Sequence, residues 1–221
     1  MPRILFKKTD NAVYISHLDL MRVFQRAFKR AGLLLRHSQG FSPRAHVSIA
    51  LPLSVGMESV CELLDFDLAE GVSVPLAQIP AMLNRTMPTG IQVLEIWERG
   101  RKLRDLTHLD VALRLEYDAG IPEDAASKIK AFFQGESPII VTKQTKNGPV
   151  DVDIQPMITN TEVRIAGPQE LHLTCRICAQ NPSLNPALLI RALETHLPES
   201  VPDFTRICRL EILDAQGTPF R

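Results

Sequence analysis

The chain has 221 residues, 45% of them apolar and 23% charged, enough length and apolar content for two domains of about 100 residues each. Its 25 Lys and Arg balance 25 Asp and Glu, so no net charge steers the whole molecule toward a polyanion. No apolar run nears the about 18 residues of a membrane span, and the first residues, Met-Pro-Arg-Ile-Leu-Phe-Lys-Lys, lack the apolar stretch of a signal peptide.

Arg3 to Lys7 reads as a short strand, Lys8 to Asn11 as a turn, and Ala12 to Ile15 as an extension of the strand or a partner for it. Ser16 then caps a helix that Gly32 ends as an αL cap. Asp19 makes a capping-box variant with Ser16, and Ile15 and Leu20 make a hydrophobic staple. At about 100° per residue, Arg22, Arg26, Lys29 and Arg30 share one side of this helix, and Leu20, Phe24, Ala27, Phe28 and Ala31 the other. Leu33 to Arg36 reads as a strand, His37 to Arg44 as a loop around Gly40 and Pro43, and Val47 to Leu53 as extended chain. Ser54 to Glu58 turns at Gly56. Val60 to Leu68 alternates as a strand, with Phe66 and Leu68 inward and its acids outward. A helix over Val74 to Met87 and a strand over Ile91 to Trp97 follow, and the charged stretch Glu98 to Asp105 reads as a linker.

Beyond it, Leu109 to Tyr117 reads as a strand, and a helix runs from Pro122 to Gly135 with Ile129, Phe132 and Phe133 as its buried stripe. Pro138 to Thr142 is a strand, Lys146-Asn147-Gly148 a turn, and Val150 to Ile158 extended. Glu162 to Ile165 and Glu170 to Ala179 form a hairpin about Gly167-Pro168. A helix from Asn185-Pro186 to about Leu197, a strand over Thr205 to Leu213 and a loose tail after Ala215 complete the chain. Both halves repeat the order strand, helix, strand, strand, helix, strand. The expected fold class is α+β: two ferredoxin-like βαββαβ units in tandem, residues 1–101 and 105–221, each an antiparallel sheet with its helices on one face.

The balanced charge hides an asymmetry. Between Met1 and Ser48 nine Lys and Arg face only Asp10 and Asp19, which suggests a polyanion-facing N-terminal part. A solvated helix face usually mixes signs, and the Arg22/Arg26/Lys29/Arg30 stripe has no interleaved Glu, so phosphate contact competes with plain solvation. The loop from Ser38 to His46 gathers hydroxyls, an amide, a guanidinium and an imidazole beside Gly40, as ligand-contacting loops do, although a wide connection between strands would read the same. His17, His37 and His46 fit no standard metal-ligand spacing, and no metal is expected. Cys175 and Cys178 lie among core-like neighbours and read as structural thiols, and the four cysteines together suit a cytoplasmic protein. Asp65/Asp67 and Asp151/Asp153 read as solvent-facing strand pairs before they read as a carboxylate dyad or Mg²⁺ site. P-loop, GxGxxG, GxSxG, HExxH and CxxxCxxC patterns are all absent, so no cofactor is expected.

Ser16-His17-Leu18-Asp19-Leu20-Met21-Arg22, Ser38-Gln39-Gly40-Phe41-Ser42-Pro43-Arg44, Leu51-Pro52-Leu53-x-Val55-Gly56-x-Glu58-Ser59 and Asp151-Val152-Asp153-Ile154-Gln155-Pro156-Met157-Ile158 resemble, collinearly, a bacterial domain family of unknown function linked to or associated with radical SAM proteins. Its members usually occur fused behind such a protein or encoded beside one. Where the family pattern commonly has Asn-Pro-His, this chain has Ser42-Pro43-Arg44. Where it commonly has Arg and Tyr about the later proline, Gln155 and Met157 stand here. The resemblance implies a radical SAM partner and assigns no reaction.

These readings converge on an accessory binding module that presents RNA to a radical SAM protein. Its binding residues would be His17, Asp19, Arg22, Arg26, Arg30, Gln39, Gly40, Arg44, His46 and Glu58, with the three arginines of the helix on phosphates. The alternatives are an enzyme with a site between the two units, using His17, Asp19, His46, Glu58 and Asp151 or Asp153, or a protein- or small-ligand-interaction pair without nucleic acid.

Overall fold

A computed structural model of the chain describes residues 1–145 and 148–221. Lys146 and Asn147, the first two residues of the expected turn, lie outside the described residues. The described chain forms two compact units, Met1–Asp105 with Phe220–Arg221, and Leu106–Pro219.

The first unit contains β1 (Arg3–Lys8), a 3₁₀ turn (Asp10–Tyr14), α1 (His17–Arg30), β2 (Val47–Ile49), β3 (Glu58–Phe66), a second 3₁₀ turn (Leu76–Gln78) leading into α2 (Ile79–Asn84), and β4 (Ile91–Trp97). Its strands lie in the order β4–β1–β3–β2, each neighbouring pair antiparallel. Local chemistry sets both ends of α1. The Ser16 hydroxyl accepts from the Asp19 backbone N–H at 3.2 Å and donates to the Asp19 carboxylate at 2.7 Å. At the other end Gly32 has φ +73°, its N–H donates to Lys29 O, and the Leu33 N–H donates to Phe28 O. These two bonds make a Schellman motif, which needs a left-handed residue at this position. The apolar side of α1 packs onto the sheet, with Phe24 4.7 Å from Phe6 and Phe28 4.8 Å from Phe66 between ring centres. Ile79 and Leu83 of α2 join the same cluster, as do Ile91 and Val93 of β4.

Several expectations change here. Ala12 to Ile15 is not a strand. The chain turns over Asp10–Tyr14, and both Lys8 Nζ and the Gly56 N–H donate to Val13 O, at 3.1 and 2.9 Å. The acids of β3 do not all face outward. Glu62 is buried, and its charge opposes the desolvation that lowers the pKa of buried Lys8 on the neighbouring β1. Leu33 to Arg36 pairs only through the single bridge Leu35–Leu68, flanked by Arg36 N–H to Asp67 O and Ala69 N–H to Leu34 O. Helix over Val74 to Met87 shrinks to residues 76–84, because the Pro75 and Pro80 rings fit only at helix starts. The last residues are no loose tail. Phe220 is fully buried beneath the Arg3 and Arg101 guanidiniums, and Arg101 N–H donates to Arg221 O.

The second unit contains β5 (Leu106–Glu116), α3 (Ala125–Gln134), the hairpin β6 (Ile140–Thr145) and β7 (Gly148–Asp153), β8 (Ile158–Gly167), β9 (Glu170–Cys178), α4 (Ala187–His196) and β10 (Phe204–Asp214). Its main sheet runs β10–β5–β9–β8, again antiparallel at each step, and β6–β7 is a separate two-stranded sheet. The chain is thus a mixed α and β fold of antiparallel sheets and helices. No helix among the described residues is long and apolar enough to cross a membrane.

Candidate nucleic-acid interface

The Ser38–His46 loop follows the basic helix after the Gly32 cap and the Leu33–His37 segment. The loop is a narrow finger closed at its root by backbone bonds: Ser38 N–H to Arg44 O at 2.9 Å and His46 N–H to Arg36 O at 2.8 Å. The Ser38 hydroxyl adds a bond from the Arg44 N–H. Gly40, at φ +128°, turns the tip through a conformation that side chains with a Cβ avoid. Beside it Phe41 is fully exposed, and Gln39 and Arg44 are exposed too.

Between the last turns of α1 and the finger root lies a pocket of about 420 Å³. Leu33, Leu34, Leu35 and Ala45 supply its apolar lining, and Gln25, Arg26, Lys29 and His37 its polar lining. The His37 ring sits with Nδ1 3.0 Å from Leu35 O, so this nitrogen carries a hydrogen and donates to that carbonyl, leaving Nε2 uncommitted.

The nine basic residues before Ser48 are not equivalent. Arg3 is buried in a bidentate pair with Asp65, at 2.6 and 2.8 Å, and Lys8 is buried against Val13 O. Arg22 donates to Asp19 at 2.8 Å, so both serve the helix cap and each other. The Ser16 hydroxyl first, and Arg22 second, hold the Asp19 carboxyl below its ordinary range. Arg26, Lys29, Arg30, Arg36 and Arg44 are exposed, and no carboxylate among the described residues lies within ion-pair distance of them.

The ten residues singled out from the sequence fall into two groups. Gln39, Gly40, Arg44 and His46 belong to the finger, and Arg26 and Arg30 to the adjoining end of α1. His46 Nδ1 lies 3.5 Å from Asp67, and His46 O accepts the Asp67 N–H. Glu58 opens β3 at its other end, about 26 Å from Phe66 at about 3.3 Å per strand residue. His17, Asp19 and the Arg22 paired with it lie toward the Glu58 end, where the Gly56 N–H ties the turn before Glu58 to Val13. His17, His46 and Glu58 therefore do not converge, and the single acid–base centre they would build is absent. The opposite ends of β3 keep them apart. His17 Nδ1 is buried without a hydrogen-bond partner among the described residues.

The remaining chemical candidates have structural partners. Asp153 accepts the Ile139 and Gln155 N–H groups, and Asp151 accepts the Thr142 hydroxyl. Burial pushes the Cys175 thiol up to about 12 and raises that of Cys178, and such thiols are poor metal ligands. No group of three His, Cys, Asp or Glu able to hold a metal occurs among the described residues. Sequence reasoning missed Gln25, Leu34 and Phe41 as surface features. The only local sign of Phe41 is a large apolar residue set between Gly40 and Ser42-Pro43, where no regular element can bury it.

The chain belongs to the family described as "uncharacterized protein conserved in bacteria (DUF2344)", which matches residues 2–200. No protein with a curated description matches it. Among solved structures it is similar to a chain of a Cbf5–Nop10–Gar1 complex, at 12% identity and a TM-score of 0.52 over 96% of this chain and 48% of that one. It thus spans about half the length of that relative, and the likeness is one of fold. An unknown protein from Galdieria sulphuraria matches at 12% identity over 93% of this chain and 94% of its own, with a TM-score of 0.27.

Proposed function

We propose that this chain is a non-catalytic RNA-binding module built on two ferredoxin-like βαββαβ units, and that it holds RNA through the last turns of α1 and the finger. The 4-1-3-2 strand order of each unit supports the fold reading. One observation carries the functional reading: Arg26, Lys29, Arg30, Arg36 and Arg44 stand exposed on adjoining segments and form no ion pair among the described residues, the Asp19 charge acting on Arg26 only from beyond ion-pair distance. Clustered cations of this kind gain affinity from phosphates through counterion release. Exposed Phe41 adds an aromatic face on which a base can stack, and stacking tolerates any sequence. In this reading His17, Asp19 and Arg22 form the helix start, Glu58 opens β3, and none of the four contacts RNA directly.

The Cbf5–Nop10–Gar1 likeness adds fold analogy alone. A radical SAM protein as partner rests only on the resemblance of the Ser16–Arg22, Ser38–Arg44 and Leu51–Ser59 motifs. Capture of the tagged chain from bacterial cytoplasm, with retained RNA and protein both identified, tests both statements. RNA recovered with the natural chain and lost with Arg26→Glu plus Arg30→Glu supports the module. Equal RNA recovery by both chains refutes it. A radical SAM protein retained after nuclease treatment supports the partnership, and its absence from every capture refutes that part.

A further inference from the structure

We infer that the pocket between α1 and the finger root receives one unpaired nucleobase, so that the RNA held by this module is single-stranded where it crosses α1. The inference rests on the RNA reading and adds the form of the ligand.

The pocket has the composition a base requires. Leu33 and Leu35 are buried, and Leu34 is 56% exposed, so an aliphatic surface lies open without a protein side chain covering it. A base face packs on such a surface, and the about 420 Å³ falls within the about 300–1,000 Å³ of small-ligand pockets. The Gln25 amide offers both a donor and an acceptor, and the His37 ring, with Nδ1 committed to Leu35 O, keeps Nε2 for a ligand. These match the mixed donor and acceptor edge of a base. Arg26 and Lys29 border the same space, and among the described residues no carboxylate lines it. The phosphates on either side of an inserted base would therefore meet cations. A base inside a duplex is stacked and paired and presents neither its face nor its pairing edge, whereas single strands and loops present both.

The experiment compares three labelled RNAs of about ten nucleotides, within the range of known single-strand site sizes: an intact single strand, the same strand with several abasic positions, and its duplex. The abasic strand keeps every phosphate. Base insertion predicts that it binds about 5- to 150-fold more weakly, the range of about 1–3 kcal/mol per stacked base. The duplex binds more weakly too. Leu34→Asp places a carboxylate in the pocket at an exposed position. This variant should melt like the natural chain, lose the same affinity, and no longer distinguish intact from abasic strands. Equal, salt-sensitive binding of intact and abasic strands overturns the pocket assignment and leaves the phosphate surface standing. Leu34→Asp binding indistinguishable from the natural chain overturns it as well. Absence of binding by any of the three RNAs overturns both readings.

Discussion

Neutralising the end of α1 gives the sharpest quantitative test of the charge argument. Five cations form no ion pair among the described residues: Arg26, Lys29 and Arg30 on the helix, and Arg36 and Arg44 at the finger. If each meets one phosphate of a single strand, the slope of log affinity against log salt is about −3.5, and affinity falls about 100-fold between about 50 and 200 mM salt. Replacing Arg26, Lys29 and Arg30 together by Gln leaves two contacts, a slope of about −1.4 and a loss of about 7-fold over the same range. Gln, Arg and Lys have similar helix propensities, so α1 stays folded, apart from the few tenths of a kcal/mol that Lys29 and Arg30 contribute at the C-terminal end of the helix dipole. Arg22→Gln is the internal control. Arg22 is already paired with Asp19, and its loss changes the slope little. Fluorescence anisotropy titrations across the salt range measure these slopes. A near-zero slope for the natural chain, or an unchanged slope in the triple variant, refutes the reasoning.

Three further outcomes test the scaffold. Gly32→Ala forces a Cβ into a left-handed conformation and should cost about 1–2 kcal/mol in urea unfolding, with no clash to relieve, since open space surrounds that position. Phe220→Ala should cost about 3–5 kcal/mol by emptying a fully buried site under Arg3, and an unchanged urea midpoint would return the last residues to the status of a tail. Cys175, raised to about 12 by burial first and the Asp110 charge second, should stay unmodified by iodoacetamide at about pH 8.5 in the native chain and react once unfolded. Because its folded pKa lies above the ordinary 9.0, its contribution to stability is complete below about pH 9 and declines as pH rises toward 12.

What could be read in advance followed the range of the interactions. The cap, the two faces and the glycine stop of α1 depend on residues within one or two turns, so Ser16, Phe24, Phe28 and Gly32 carried their roles openly. The strand Ile91 to Trp97 was equally legible, with the same bounds in the structure. Glu62 was not, because its burial depends on Lys8, brought beside it only when β1 pairs with β3. The 3₁₀ turn at Asp10–Tyr14 was hidden for the same reason: Lys8 Nζ and the Gly56 N–H stabilise it from outside the segment. Phe220 reads as a chain end until Arg3 and Arg101 lie over it. At the candidate interface the excess of positive charge was legible, but its allocation was not. Sequence gives Arg3, Arg22 and Arg26 the same charge, and only Asp65 and Asp19 withdraw the first two from a partner. The grouping of Glu58 with His46 failed because both lie near β3 in sequence, yet at its opposite ends.

The central claim is that the C-terminal turns of α1 and the finger form one RNA-contacting surface. Photocrosslinking of the natural chain to bound single-stranded RNA, followed by mass spectrometry of the adduct-bearing peptides, tests it most directly. The account predicts adducts concentrated between Gln25 and His46, with Phe41 and His37 foremost. Adducts confined to the second unit, or spread evenly over the chain, would contradict it.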